Sequence, residues 1–220
     1  MIRAVPTLTP LELEGPAGRI EALLDLPDDP PRAAALLCHP HPLQGGTMHT
    51  HAVFRATRAL RGEGAAVLRF NFRGVGRSEG THDFGKGERD DARLMLDELR
   101  HRFPELPTLC GGFSFGAWVG LSVGISSTAE GLLGIGLPCA LYAFDELSGN
   151  SRPKAFVHAE RDQFTTTAQI EALVARAQPA RLWTVPGASH LFTEALDVYE
   201  GTVRDATIWL LDRVTPPRRP

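Results

Sequence analysis

Residues Leu106–Ala129 carry no charged side chain across 24 consecutive positions. Such a run is long enough to cross a bilayer. Its composition argues against that, because Pro107, Gly111, Gly112, Gly116, Gly120, Gly124 and several serines interrupt it. A buried strand, a tight turn and a buried helix account for the same residues. A strand and helix without charges need covering on every side, which demands a layered fold with an ample core.

The flanking patterns supply those layers. Short apolar runs at Ala33–Cys38, Ala65–Phe72, Thr108–Gly112, Gly131–Gly136, Lys154–Ala159 and Ala180–Val185 read as strands. Between them lie helical patterns: residues 46–60 with Val53, Ala56 and Leu60 on one face, then Ala92, Leu96, Leu99 and Phe103. Trp118, Leu121, Ser122 and Ile125 mark the next helix, followed by Ile170, Leu173, Val174 and Ala177, and by Leu196, Tyr199, Val203, Ala206 and Leu210. Strands alternating with helices predict an α/β fold with a mostly parallel sheet covered on both faces. Right-handed crossovers then put the strand C-termini on one edge, where ligands of such sheets bind. PDDPP at 27–31 reads as a loop between strands.

The 220 residues suit one domain, expected over 1–214, with TPPRRP at 215–220 a disordered tail. A net charge of −3 provides no basic field for nucleic acid or anionic lipid. Residues 1–15 lack the apolar stretch of a signal peptide, and the three dispersed cysteines fit a reducing compartment. A cytoplasmic protein is expected, with no nucleic-acid or membrane partner; a homodimer is possible but not readable.

The residues just after each strand carry the chemistry. Gly112-Phe113-Ser114-Phe115-Gly116 is a GxSxG between a strand and a helix. A serine in that sharp turn is lifted above the sheet edge, and its neighbours two residues away must lack side chains. The amide of Phe115 points at the same spot, at a helix N-terminus. A serine needs a base, and His190 follows the last strand in Pro186-Gly187-Ala188-Ser189-His190. Asp162 follows the preceding strand and suits the orienting acid, with Glu160 and Asp145 as rivals. The order Ser114, Asp162, His190 is that of one known triad arrangement.

A second oxyanion donor is sought in His39-Pro40-His41-Pro42-Leu43, after the first parallel strand. The prolines have no N–H, so the amide of His41 is expected to donate, with Leu43 as fallback. His39, His41, His49 and His51 form a rival signal for metal. Two fixed prolines, and the two-residue spacing of His49 and His51, work against convergence, and no metal site is assigned. In Arg69–Gly80 the glycines miss a dinucleotide fingerprint, so a glycine-shaped loop over the catalytic edge is expected. Arg73 there reads as a buttressing ion pair in preference to an anion contact.

Taken together, His39–Leu43 with Gly45-Gly46-Thr47-Met48, Arg69–Ser78, Gly112–Gly116 and Gly187–Phe192 resemble the α/β-hydrolase superfamily. More narrowly they resemble small, capless bacterial members of the dienelactone-hydrolase-like branch. The resemblance implies a central sheet of seven to eight strands, the second antiparallel, with Ser114, Asp162 and His190 as triad and no cofactor. Dienelactone hydrolases use a cysteine nucleophile, so their substrate does not carry over. Residues 137–153, where a cap enters this fold, leave room for a short helix or a flap with Tyr142 and Phe144. The expected activity is a serine hydrolase of the carboxylesterase or thioesterase kind, acting on a small-molecule ester at an open, shallow site. Peptidase or perhydrolase chemistry, a metal-dependent hydrolase and a non-catalytic binder remain as alternatives.

Overall fold

The computed structural model describes residues 8–215. Residues 1–7 lie outside them, as does the expected 215–220 tail except for Thr215, whose amide still donates to Leu211 O. Eight strands form one sheet: β1 (Leu8–Gly15), β2 (Gly18–Asp25), β3 (Ala33–Cys38), β4 (Ala65–Phe70), β5 (Thr108–Phe113), β6 (Gly131–Ile135), β7 (Lys154–Ala159) and β8 (Ala180–Val185). Their spatial order is β1-β2-β4-β3-β5-β6-β7-β8. β2 runs antiparallel to both β1 and β4, and all later pairs are parallel. Five helices cover the sheet: α1 (His51–Gly62), α2 (Lys86–Arg102), α3 (Phe115–Ile125), α4 (Thr167–Arg176) and α5 (Leu196–Val214).

Two apolar layers result. Ala34, Leu36, Leu68, Phe70 and Cys110 pack with α2, α3 and α4 on one face, while Ala35, Leu37, Val67 and Leu109 pack with α1 and α5 on the other. Every residue of β3 to β7 is buried, which is why these strands read as continuous apolar runs. On α3 the residues that meet the sheet are glycines at every fourth position. A Cβ on Gly116 would lie 2.4 Å from the Cys38 carbonyl oxygen, on Gly120 2.4 Å from that of Gly111, and on Gly124 2.4 Å from Leu132 Cδ2. The charge-free run is therefore a strand and a helix pressed backbone to backbone. No helix among the described residues is long and apolar enough to cross a membrane.

Two elements are bounded differently from the sequence reading by more than one residue. The first helix begins at His51 and not at residue 46. Gly45 turns the chain with φ +76° and Gly46 packs on the Pro40 carbonyl, so residues 45–50 belong to the preceding loop. The strand from Ala65 stops at Phe70 instead of Phe72: the Asn71 amide still meets Glu21 O of β2, but the Phe72 amide turns to His39 Nε2 and leaves the sheet. The β1–β2 hairpin was expected only through the family resemblance. Between β6 and β7 there is one short 3-10 turn, Asp145–Leu147, with Phe144 buried and Tyr142 stacked on Trp118 (centroids 4.4 Å, 17°). No cap domain is present there.

The loop after β4 is pinned by an ion pair. The Arg73 backbone N–H and Nε both donate to Asp91 Oδ2, and Nη2 donates to Oδ1 at 2.6 Å. The Asp91 side chain is wholly buried on α2. Gly87 makes room for the guanidinium, since a Cβ there would sit 2.0 Å from Arg73 Nη1. Arg73 is thus a buttress, with its donors turned inward. Replacing Arg73 with Met leaves Asp91 buried and unpaired, and is expected to lower unfolding stability by about 3–5 kcal/mol. Urea unfolding with an unchanged m-value checks this; a loss below about 1 kcal/mol would contradict a structural role for the pair.

Candidate active site

Ser114 occupies the turn between β5 and α3 with φ +57° and ψ −122°. For a residue with a side chain that conformation costs about 1–3 kcal/mol. The neighbours hold it in place. Its N–H donates to Ile135 O at 2.9 Å, and its carbonyl accepts from Ala117 and Trp118. A Cβ on Gly112 would come 2.5 Å from Gly116 O, and one on Gly116 2.3 Å from His39 O. Both glycines are sterically required. The amides of Phe115 and Gly116, at the positive end of α3, have no acceptor among the described residues.

His190 reaches Ser114 from the loop after β8. Its Nε2 lies 2.9 Å from Ser114 Oγ and its Nδ1 2.7 Å from Asp162 Oδ2. Asp162 follows β7, and its side chain is fully buried. Its Oδ1 accepts from the Phe164 amide at 2.8 Å. An acceptor-only carboxylate against Nδ1 requires the proton there, so Nε2 turns its lone pair to the serine. The imidazole is steadied by Phe113 (5.3 Å) and by Phe164 edge-on (4.7 Å).

The rival acids are elsewhere. Glu160 Oε2 accepts the Gly187 amide at 2.7 Å, tying down the turn that leads to His190. Asp145 is exposed on the 3-10 turn. The other oxyanion candidates are also separated. The Leu43 amide donates to His41 Nδ1 at 3.2 Å, which removes the fallback donor. The His41 amide has no acceptor among the described residues, and its ring lies 5.0 Å from that of Phe115.

His39 has a part that sequence reasoning missed. Its fully buried ring accepts from the Phe72 amide through Nε2 at 3.0 Å, so Nδ1 carries the proton and donates to Pro40 O at 2.6 Å. The Pro40 carbonyl and the His41 N–H belong to one planar peptide and point opposite ways. Holding one therefore aims the other. Arg69 Nη1 of β4 and Asn71 Oδ1 just after it hold the Met48 carbonyl and amide, clamping the far end of the same loop. The only signal in the sequence was the His-Pro itself, since the bonds come from residues 33 positions away. The other histidines disperse: His41 faces His82 (4.8 Å), while His49 and His51 are exposed.

The comparisons with known proteins agree with this fold. The model of the family described as serine aminopeptidase, S33, matches residues 29–143, and the chain belongs to this family of α/β hydrolases. The uncharacterized protein RP471 of Rickettsia prowazekii (strain Madrid E) is 32% identical over 205 residues, spanning 88% of this chain and 86% of the relative. An α/β serine hydrolase homologue from Coxiella burnetii superposes with a TM-score of 0.85 at 30% identity, covering 92% of this chain and 98% of that one. XC6422 from Xanthomonas campestris, an α/β serine hydrolase without lid, superposes with a TM-score of 0.85 at 31% identity and covers 97% of both chains.

Burial drives the His39 pKa down from 6.5 to about 3, and burial also lowers that of His158. A histidine whose folded pKa is depressed binds its proton more readily in the unfolded chain. Stability is then full above pH 6.5 and declines as the pH falls toward 3, by up to about 1.4 kcal/mol per pH unit for His39. Urea midpoints are expected to fall between pH 7 and pH 5, more steeply in the wild type than in His39→Gln. Equal slopes would mean that His39 is not held neutral.

Proposed function

We propose that the protein is a serine hydrolase that cleaves small acyl esters, oxygen or thioester, through Ser114, His190 and Asp162. The observation that carries this is the unbroken chain from Ser114 Oγ to His190 Nε2 and from Nδ1 to Asp162 Oδ2, mounted on a strained strand-to-helix turn. Ser114 Oγ attacks the acyl carbon as His190 Nε2 takes its proton. Asp162 stabilises the imidazolium without itself being protonated. The carbonyl oxygen, now negative, accepts from the amides of Phe115 and His41. Collapse expels the alcohol or thiol, which receives the proton from His190. Water, deprotonated by the same nitrogen, releases the acid and restores the serine.

The family's description favours a second reading, cleavage of a terminal amino acid from a peptide. That activity needs an acid free to meet the substrate's ammonium. The carboxylates of Asp162, Glu88 and Glu160 are engaged with His190, with the amides of Asp83 and Gly85, and with the Gly187 amide. The ester reading is therefore preferred.

A fluorophosphonate probe is expected to add to the wild type at Ser114 and not to Ser114→Ala, as read by intact mass. Absence of labelling in folded wild type would sink the hydrolase assignment. On p-nitrophenyl acetate, Asp162→Asn is expected to lose about 10⁴-fold in kcat, and Glu160→Gln less than about tenfold. A larger loss for Glu160→Gln reassigns the acid.

A further inference from the structure

Among the described residues three other than glycine have positive φ: Ser114, Phe192 and Phe84, at +57°, +59° and +50°. The first is the nucleophile turn. Phe192 buries its ring completely and stacks on Tyr199 at 4.4 Å. Phe84 has no such return. Its ring is 83% exposed, more than any other large apolar side chain among the described residues. Glycine or asparagine would adopt the same backbone more easily, and an exposed phenyl ring forgoes the gain of burial.

The loop around Phe84 is nonetheless firmly built. Glu88 is fully buried, and its two carboxylate oxygens accept the amides on either side, Asp83 at 2.9 Å and Gly85 at 2.8 Å. Asp83 Oδ2 accepts from the Gly87 amide in turn. Gly85, with φ +92°, lies under the Trp118 indole, which fills the space a Cβ would need. The backbone is thus clamped so that the aromatic side chain stands outward. Strain kept in place by such a scaffold points to a role outside the fold.

Its position names the role. The loop 71–85 follows β4, on the edge that carries Ser114. Phe84 lies 5.2 Å from His82, ring to ring, and His82 lies 4.8 Å from His41 and 5.7 Å from Phe115. Phe84 is therefore one ring outward from the two residues whose amides are assigned to the oxyanion. The His190 ring packs instead against Phe113 and Phe164. In a tetrahedral intermediate the alcohol oxygen must face His190 Nε2 to receive its proton, and the oxyanion must face the amides. The acyl substituent takes the remaining corner, neither on His190 nor on the amides, and the rings of His41, His82 and Phe84 form an apolar line that leads outward from the oxyanion donors.

We propose that Phe84 is the outer wall of the acyl subsite, selecting esters whose acyl group is an extended apolar chain or an aromatic ring. This rests on the ester-hydrolase reading above and adds to it the class of acyl group.

The test uses p-nitrophenyl acetate and octanoate with wild type, Phe84→Asn, Phe84→Leu and Ile208→Ser. Asparagine tolerates the left-handed turn and removes only the ring. The octanoate-to-acetate ratio of kcat/KM is expected to fall about tenfold in Phe84→Asn. It should fall by less than about threefold in Phe84→Leu, and should not move in Ile208→Ser, an apolar surface residue of α5. A parallel series of acetates with alcohols of graded length should keep its ratios in Phe84→Asn. An unmoved octanoate-to-acetate ratio, or a change confined to the alcohol series, overturns the acyl-wall role. Fluorophosphonate labelling separates the two readings. Unlabelled wild type defeats the hydrolase assignment, whereas labelled, active wild type with an unmoved ratio defeats only the role of Phe84.

Discussion

Gly116 and Gly120 let the backbone of α3 rest on the backbone at the end of β3 and in β5, closer than any side chain would allow, and Gly124 makes room for the Leu132 and Cys110 side chains. Much of the candidate site follows from that contact. It seats the N-terminus of α3 beside the carbonyls of Cys38 and His39, so the loop after β3 and the turn after β5 meet at one point. The strained Ser114 backbone is held because Gly112 and Gly116 close on each other beneath it. The free amides of Phe115 and Gly116 emerge where the His41 peptide arrives. Widening this seat by one methyl group would move Ser114 and the amides of Phe115 and His41 apart.

Around that seat the supporting layer consists of polar side chains that hold backbone, all of them buried except Glu160. His39 grips the Pro40 carbonyl and the Phe72 amide, and Asn71 and Arg69 grip Met48. Glu160 grips Gly187, and Glu88 grips the amides of Asp83 and Gly85. Each is a polar side chain that spends its hydrogen bonds on a loop that would otherwise move. Positioning, not added chemistry, is what they contribute.

How much of this was legible depended on range. The strands β3 to β7 could be read because burial on both faces leaves mostly apolar runs, broken inside only by Arg69 in β4 and His158 in β7. Ser114, Asp162 and His190 were marked by their places after strands, and the structure brings the three into one hydrogen-bonded line. β1 was harder to see, although Leu11-Glu12-Leu13-Glu14 alternates as an edge strand should, because Pro10 and the glutamates dilute its apolar signal. The helix expected from residue 46 failed because Gly45 and Gly46 serve a turn that only the Pro40 carbonyl explains. The roles of His39, Glu160 and Glu88 could not be read locally. The first two depend on partners 27 or more positions away; that of Glu88 depends on its own burial.

The connection between β6 and β7 carries a single short turn where a cap would stand. With no cap over Ser114 among the described residues, an acyl group carried on its hydroxyl, as proposed above, would remain in contact with bulk solvent. Any small nucleophile dissolved there, an alcohol or a thiol, then competes with water for the acyl carbon at its bulk concentration. The fate of the acyl group, free acid or a new ester, would be set by the medium as much as by the protein.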